Sequence, residues 1–82
     1  MGLAQNNLNR HDEAIATFKE AVRRHPDSAE AYYSLGFGYA DAERYPEAVT
    51  SLKEALRLDP HHGQARAELD AVLRAQGRVR HN

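Results

Sequence analysis

Arg10-His-Asp-Glu-Ala-Ile-Ala-Thr-Phe-Lys-Glu-Ala-Val-Arg-Arg-His-Pro26 returns 34 residues later as Arg44-Tyr-Pro-Glu-Ala-Val-Thr-Ser-Leu-Lys-Glu-Ala-Leu-Arg-Leu-Asp-Pro60. Eight of the seventeen paired positions are identical, and most of the others keep size or polarity, as in Ile15 with Val49, Thr17 with Ser51, Phe18 with Leu52 and Val22 with Leu56. Similarity at a fixed period marks a stack of equal structural units. The same shift sets Gly2 over Gly36, and Ala31 and Leu35 over Ala65 and Leu69, so a third unit begins and stops half-way.

Within each unit the apolar spacing is helical. Ala14, Phe18, Ala21 and Val22, like Ala48, Leu52, Ala55 and Leu56, fall at i, i+4, i+7 and i+8, one stripe of an α-helix. Asp12 and Pro46 suit a first turn, the carboxylate facing the positive helix end and the proline lacking an amide that turn cannot use. Pro26 and Pro60 close the helices by disfavouring helical backbone one residue earlier. Asp27 or Ser28 can cap the next helix, whose inward stripe is Tyr32, Leu35, Gly36, Tyr39 and Ala42. The pattern predicts five helices, at about 2–8, 12–24, 28–42, 46–58 and 62–76, with Glu43 and Arg44 in a turn and 77–82 frayed.

Composition agrees. The chain has 82 residues, room for one core. Alanine supplies 14 of its 34 apolar residues and leucine eight, a helix-forming mixture poor in strand formers. The formal charge of −1 gives no basic field for nucleic acid or an anionic membrane. The absence of cysteine excludes disulfides, thiolate metal sites and cysteine nucleophiles. The longest stretch without a charged residue, Ala31 to Ala40, is half a membrane span, and no basic start followed by an apolar core is present. The expectation is a soluble, unexported chain, with a cytoplasmic location favoured.

The unit from Ala29 to His62 resembles the tetratricopeptide repeat (TPR), a 34-residue helix-turn-helix motif with a Trp/Tyr, Leu-Gly, Tyr, Ala, Phe/Leu, Ala, Pro signature. Tyr32, Leu35-Gly36, Tyr39, Ala48, Leu52, Ala55 and Pro60 fill it. The resemblance implies an all-α fold, a right-handed superhelical stack of antiparallel helix pairs, with Gly36 and Ala48 letting two backbones approach. It divides the chain into an incomplete repeat (1–28), a full repeat (29–62), a capping helix (63–77) and a frayed tail (78–82).

The family's implied function is a non-catalytic module that holds a protein or peptide on the concave face lined by the first helix of each unit. That places Glu30, Tyr33, Phe37, Ala40 and Asp41 on the face, with Leu3, Asn6 and Asn7 from the unit before and Gln64, Ala67, Ala71, Arg74 and Ala75 from the unit after. The set offers two aromatic anchors, amides for a peptide backbone and an arginine facing an aspartate. Tyr33 and Phe37 have a second reading, packing against neighbouring helices. The acid-binding clamp of some TPR domains is not expected, because Leu3, Tyr33, Ser34, Phe37, Gln64 and Glu68 stand where its polar and basic groups are needed.

No cofactor, metal or catalytic residue is expected. His61-His62 is the sharpest histidine cluster, but adjacent turn residues share one ion poorly and no cysteine or carboxylate at helical spacing completes a site. His11 reads as packing near a turn, and His25, His61 and His81 as solvated. Asp12, Glu13, Glu43, Glu47 and Asp59 lie at helix ends, where capping explains them. Local charge runs from +1 over 1–26 to −4 over 27–62 and +2 over 63–82. The basic tail Arg74, Arg78, Arg80 and His81 reads as a charged helix end, with no nucleic-acid or membrane partner expected.

At the last helix Arg66 and Asp70 replace Tyr32 and Gly36 of the inward stripe, which reads as a terminal cap. Asp70 is spaced to pair with Arg66 and Arg74, while Ala65, Leu69, Val72 and Leu73 should cover the preceding unit. The opposite end has no such device, so Leu3, Leu8 and Phe18 are candidates for self-association. The second functional reading is accordingly a self-assembling or docking unit, expected to form a homo-oligomer.

Overall fold

The computed structural model describes the backbone of residues 3–80 and the side chains of residues 10–77. These residues form four helices and no strand: α1 (Leu3–Arg24), α2 (Ala29–Asp41), α3 (Tyr45–Leu58) and α4 (Gly63–Arg80). Connections of three or four residues leave consecutive helices little choice but antiparallel packing. Overall dimensions of 43 × 35 × 16 Å correspond to two layers of helices. α2 lies between α1 and α3 and also touches α4, whereas α1 packs on α2 alone.

Local chemistry sets the ends. Ser28 has extended backbone, and its hydroxyl accepts the Ala31 amide at 3.1 Å, capping α2. At the other end Glu43 turns left-handed, with φ 63°, so that its amide donates to the Ala40 carbonyl at 3.0 Å and the Arg44 amide to the Tyr39 carbonyl at 2.8 Å. This is a Schellman closure with glutamate where glycine is easiest. Pro46 then stands in the first turn of α3.

The core gathers where α3 meets both neighbours. Ala48, Leu52, Ala55 and Ala65 are fully buried, joined by Ile15, Leu35, Tyr39 and Val72. Two glycines give α2 close approaches on two sides. A Cβ at Gly36 would lie 2.6 Å from Leu52 Cγ and 3.4 Å from the Ala48 carbonyl oxygen. One at Gly38 would meet the Phe18 ring at 2.8 Å, so α1 seats on α2 there. Exposed pairs dress the outside: Arg23 and then Arg24 hold the Glu20 carboxyl below its ordinary range, and Arg57 does the same to Glu54. Their stabilisation is present above the ordinary carboxylate range and is lost as pH falls through the lowered values.

Four points differ from the sequence reading. The helices expected at 2–8 and 12–24 are one continuous α1. In the second unit Pro46 has no amide to offer the Ala42 carbonyl and cannot continue a helix; in the first unit Asp12 replaces it and nothing from Asn9 to Asp12 forbids helix. The stripe of α1 is accordingly one-sided: Ile15 is buried, but Ala14 and Ala21, aligned with fully buried Ala48 and Ala55, are only half-buried because no helix covers that side among the described residues.

Leu73 is 45% exposed instead of covering the preceding unit. It occupies the register of Tyr39, which is part of the core in the middle unit, and no helix follows α4 among the described residues. Asp70 forms no ion pair with Arg66 or Arg74 among the described residues.

The last difference is that α4 runs on to Arg80, past the expected end at 76. Gly77 therefore sits inside a helix with open space around its Cβ position. Gly77→Ala is expected to raise stability by about 0.5–1 kcal/mol, since alanine loses less backbone entropy in a helix. Thermal unfolding followed by circular dichroism checks this, and an unchanged midpoint would mean that the helix ends earlier.

Candidate functional site

The sides of α2 are assigned by its packing. Leu35 and Tyr39 face the core, Gly36 admits α3 and Gly38 admits α1. Another side of the helix carries a stripe at i, i+3, i+7 and i+11: Glu30, Tyr33, Phe37 and Asp41. These are four of the five α2 residues that the sequence reading set on the binding face; the fifth, Ala40, is half-buried. Phe37 is 48% exposed, although large apolar side chains are ordinarily covered. Tyr33 is half-buried, its ring centroid 6.4 Å from that of Phe37 with a tilt of 36°.

A residue that the sequence reading gave no such part holds one end of the stripe. His62 is the last residue before α4, and its Nδ1 accepts the Ala65 amide at 3.1 Å. Since Nδ1 is an acceptor, the ring proton is on Nε2, which lies 3.0 Å from Glu30 Oε1 and donates to it. The same ring packs on Tyr33 with centroids 5.1 Å apart. One imidazole thus caps α4, orients Glu30 and backs Tyr33. The signal was in the repeat, because the 34-residue shift puts His62 over Ser28, which caps α2 through the corresponding amide.

Asp41, at the opposite end, is met by a second histidine: His11 Nε2 of α1 lies 3.3 Å from Asp41 Oδ2. The sequence reading set Arg74 opposite Asp41, but no such pair forms among the described residues. Both carboxylates stay open to water, with Glu30 69% and Asp41 62% exposed.

The remaining sequence candidates are placed as follows. Gln64 and Arg74 are exposed on α4, and neither hydrogen-bonds to the α2 stripe. Phe18 is half-buried against Gly38. The side chains of Leu3, Asn6, Asn7 and Leu8, and Arg78 to Asn82, lie outside the described residues.

Chemically, the stripe offers aromatic area and two hydrogen-bond-acceptor anions on an open surface. No group of three or more metal-ligating side chains is assembled among the described residues. No described helix is long and apolar enough to cross a membrane. A family model described as Tetratricopeptide repeat matches residues 1–62 and 38–80. No curated protein matches the chain.

Proposed function

The chain belongs to the tetratricopeptide repeat family, whose members generally mediate contacts between proteins, and we propose that it holds a peptide or partner segment on the α2 stripe, without catalysis. The observation that carries this reading is Phe37, a large aromatic side chain half open to water beside Tyr33 and between two exposed carboxylates. Burying such rings is the main source of binding energy at protein interfaces, and flanking polar groups set register. Gln64 and Arg74 of α4, with Asn6 and Asn7 of α1, are further candidates for contact with the partner.

The test is substitution. Tyr33→Ala with Phe37→Ala is expected to abolish capture of a partner isolated with the full chain, while helicity by circular dichroism is kept. Undiminished capture by a folded double variant would remove the stripe from the reading.

A second reading is favoured by the half-buried Ala14 and Ala21 and by the exposed Leu73. These apolar sides would be covered by another copy, with Leu3, Leu8 and Phe18 adding to the contact. It predicts a homo-oligomer at high micromolar concentration that Leu8→Glu dissociates. A monomer by light scattering at that concentration counts against it.

A further inference from the structure

Glu30 and Asp41 are the two helix carboxylates that a histidine meets among the described residues. Glu20 and Glu54 are each bonded by arginines of their own helix. Neither Glu30 nor Asp41 has a lysine or arginine within ion-pair distance among the described residues; Glu30 is hydrogen-bonded to His62, and Asp41 Oδ2 lies 3.3 Å from His11 Nε2. The His62 imidazole accepts the Ala65 amide at Nδ1 and donates through Nε2, so it fixes Glu30 without cancelling its charge. The whole of α2 contains no lysine or arginine.

Helix stability does not account for Asp41. It lies at the carbonyl end of α2, where a carboxylate is repelled by the helix dipole, and no basic residue occupies that last turn. The stripe is therefore two hydrated anions, each beside a histidine, with the half-buried Tyr33 and the exposed Phe37 between them, set in the stretch 27–62 that carries a net −4.

Resting on the proposed binding role of this stripe, we infer that its partner is a basic peptide. One apolar side chain lies on Tyr33 and Phe37, and a lysine or arginine on each side of it reaches Glu30 and Asp41. Eleven residues of helix at about 1.5 Å each separate the two carboxylates by roughly 17 Å. An extended chain covers that span in about five residues, so the two cations stand about five positions apart with the anchor between them. The aromatic contact supplies affinity, and the carboxylates supply selection, register and sensitivity to salt.

The experiment selects random eight-residue peptides displayed on phage against the immobilised full chain, then measures synthesised winners by fluorescence anisotropy. Expected winners carry two basic residues about five apart around a leucine or aromatic residue. Their binding should weaken about tenfold in Glu30→Gln/Asp41→Asn, the sum of two exposed charge pairs, and weaken similarly in wild type at high salt. These amides are isosteric, and the one at position 30 can still accept the His62 hydrogen bond, so the variant removes charge while keeping the fold.

Winners that need Tyr33 and Phe37 but carry no cations, carry acidic residues, or bind Glu30→Gln/Asp41→Asn equally well would overturn the basic preference alone. A selection yielding no peptide that depends on Tyr33 and Phe37, including one blocked by self-association of the chain, would overturn the binding role as well.

Discussion

Leu52→Ala is expected to lower the free energy of unfolding by about 2–5 kcal/mol, toward the upper end of that range. Leu52 is the one large side chain that is completely buried among the described residues. Ala48 and Ala55 flank it on α3, and Gly36 faces it from α2. Alanine and glycine have no side-chain length with which to fill a space, so the cavity left by the deleted methyl groups should persist. In a domain of this size such a loss is a large part of the total stability. Urea unfolding followed by circular dichroism measures it, and a loss under about 1 kcal/mol would mean that the site collapses or that α2 and α3 are not in this contact.

Gly36→Leu should act on the same contact from the other side. Even a first carbon at position 36 would lie 2.6 Å from Leu52 Cγ and 2.8 Å from Leu52 Cδ2. Leu52 is enclosed on all sides and has nowhere to swing, so α2 must move off α3 and the Tyr39 and Leu35 contacts go with it. The cost is expected to be about 3 kcal/mol or more, at the top of the overpacking range. A double-mutant cycle identifies the cause. Gly36→Ala should destabilise the wild-type chain but cost much less in Leu52→Ala, where the cavity receives the added methyl group. Equal costs in both backgrounds would show that Gly36 matters for something other than room for Leu52.

Much of this was readable beforehand. The 34-residue repeat, the Ser28 cap, Pro46 in a first turn, and the closeness of Gly36 to Ala48 and Leu52 all follow from local pattern. So did the second stripe of Tyr33 and Phe37 with Ala40 and Asp41 below them, a matter of helical spacing, whereas Glu30 was added by the family resemblance. Gly38 was passed over because its need for space comes from Phe18, twenty residues away. Of the two aromatic residues, Tyr33 packs against His62, whereas Phe37 is half open to water.

The errors over α1 and over burial share one origin. Repeat alignment assumes that equal residues have equal neighbours, and at the ends of the described stack they do not. Asp12 in place of Pro46 lets α1 run on, Ala14 and Ala21 lack the cover that Ala48 and Ala55 enjoy, and Leu73 lacks the cover given to Tyr39.

The sequence by itself determined that this chain is helical, that it repeats, and which residues share a helix face, because hydrogen bonding and side-chain direction in a helix depend on neighbours three and four positions away. Only the tertiary structure decided that His62, at the far end of the unit, orients Glu30 at its start and that His11 meets Asp41. Such pairings depend on how separate helices are laid side by side, and no local spacing encodes the distance between them.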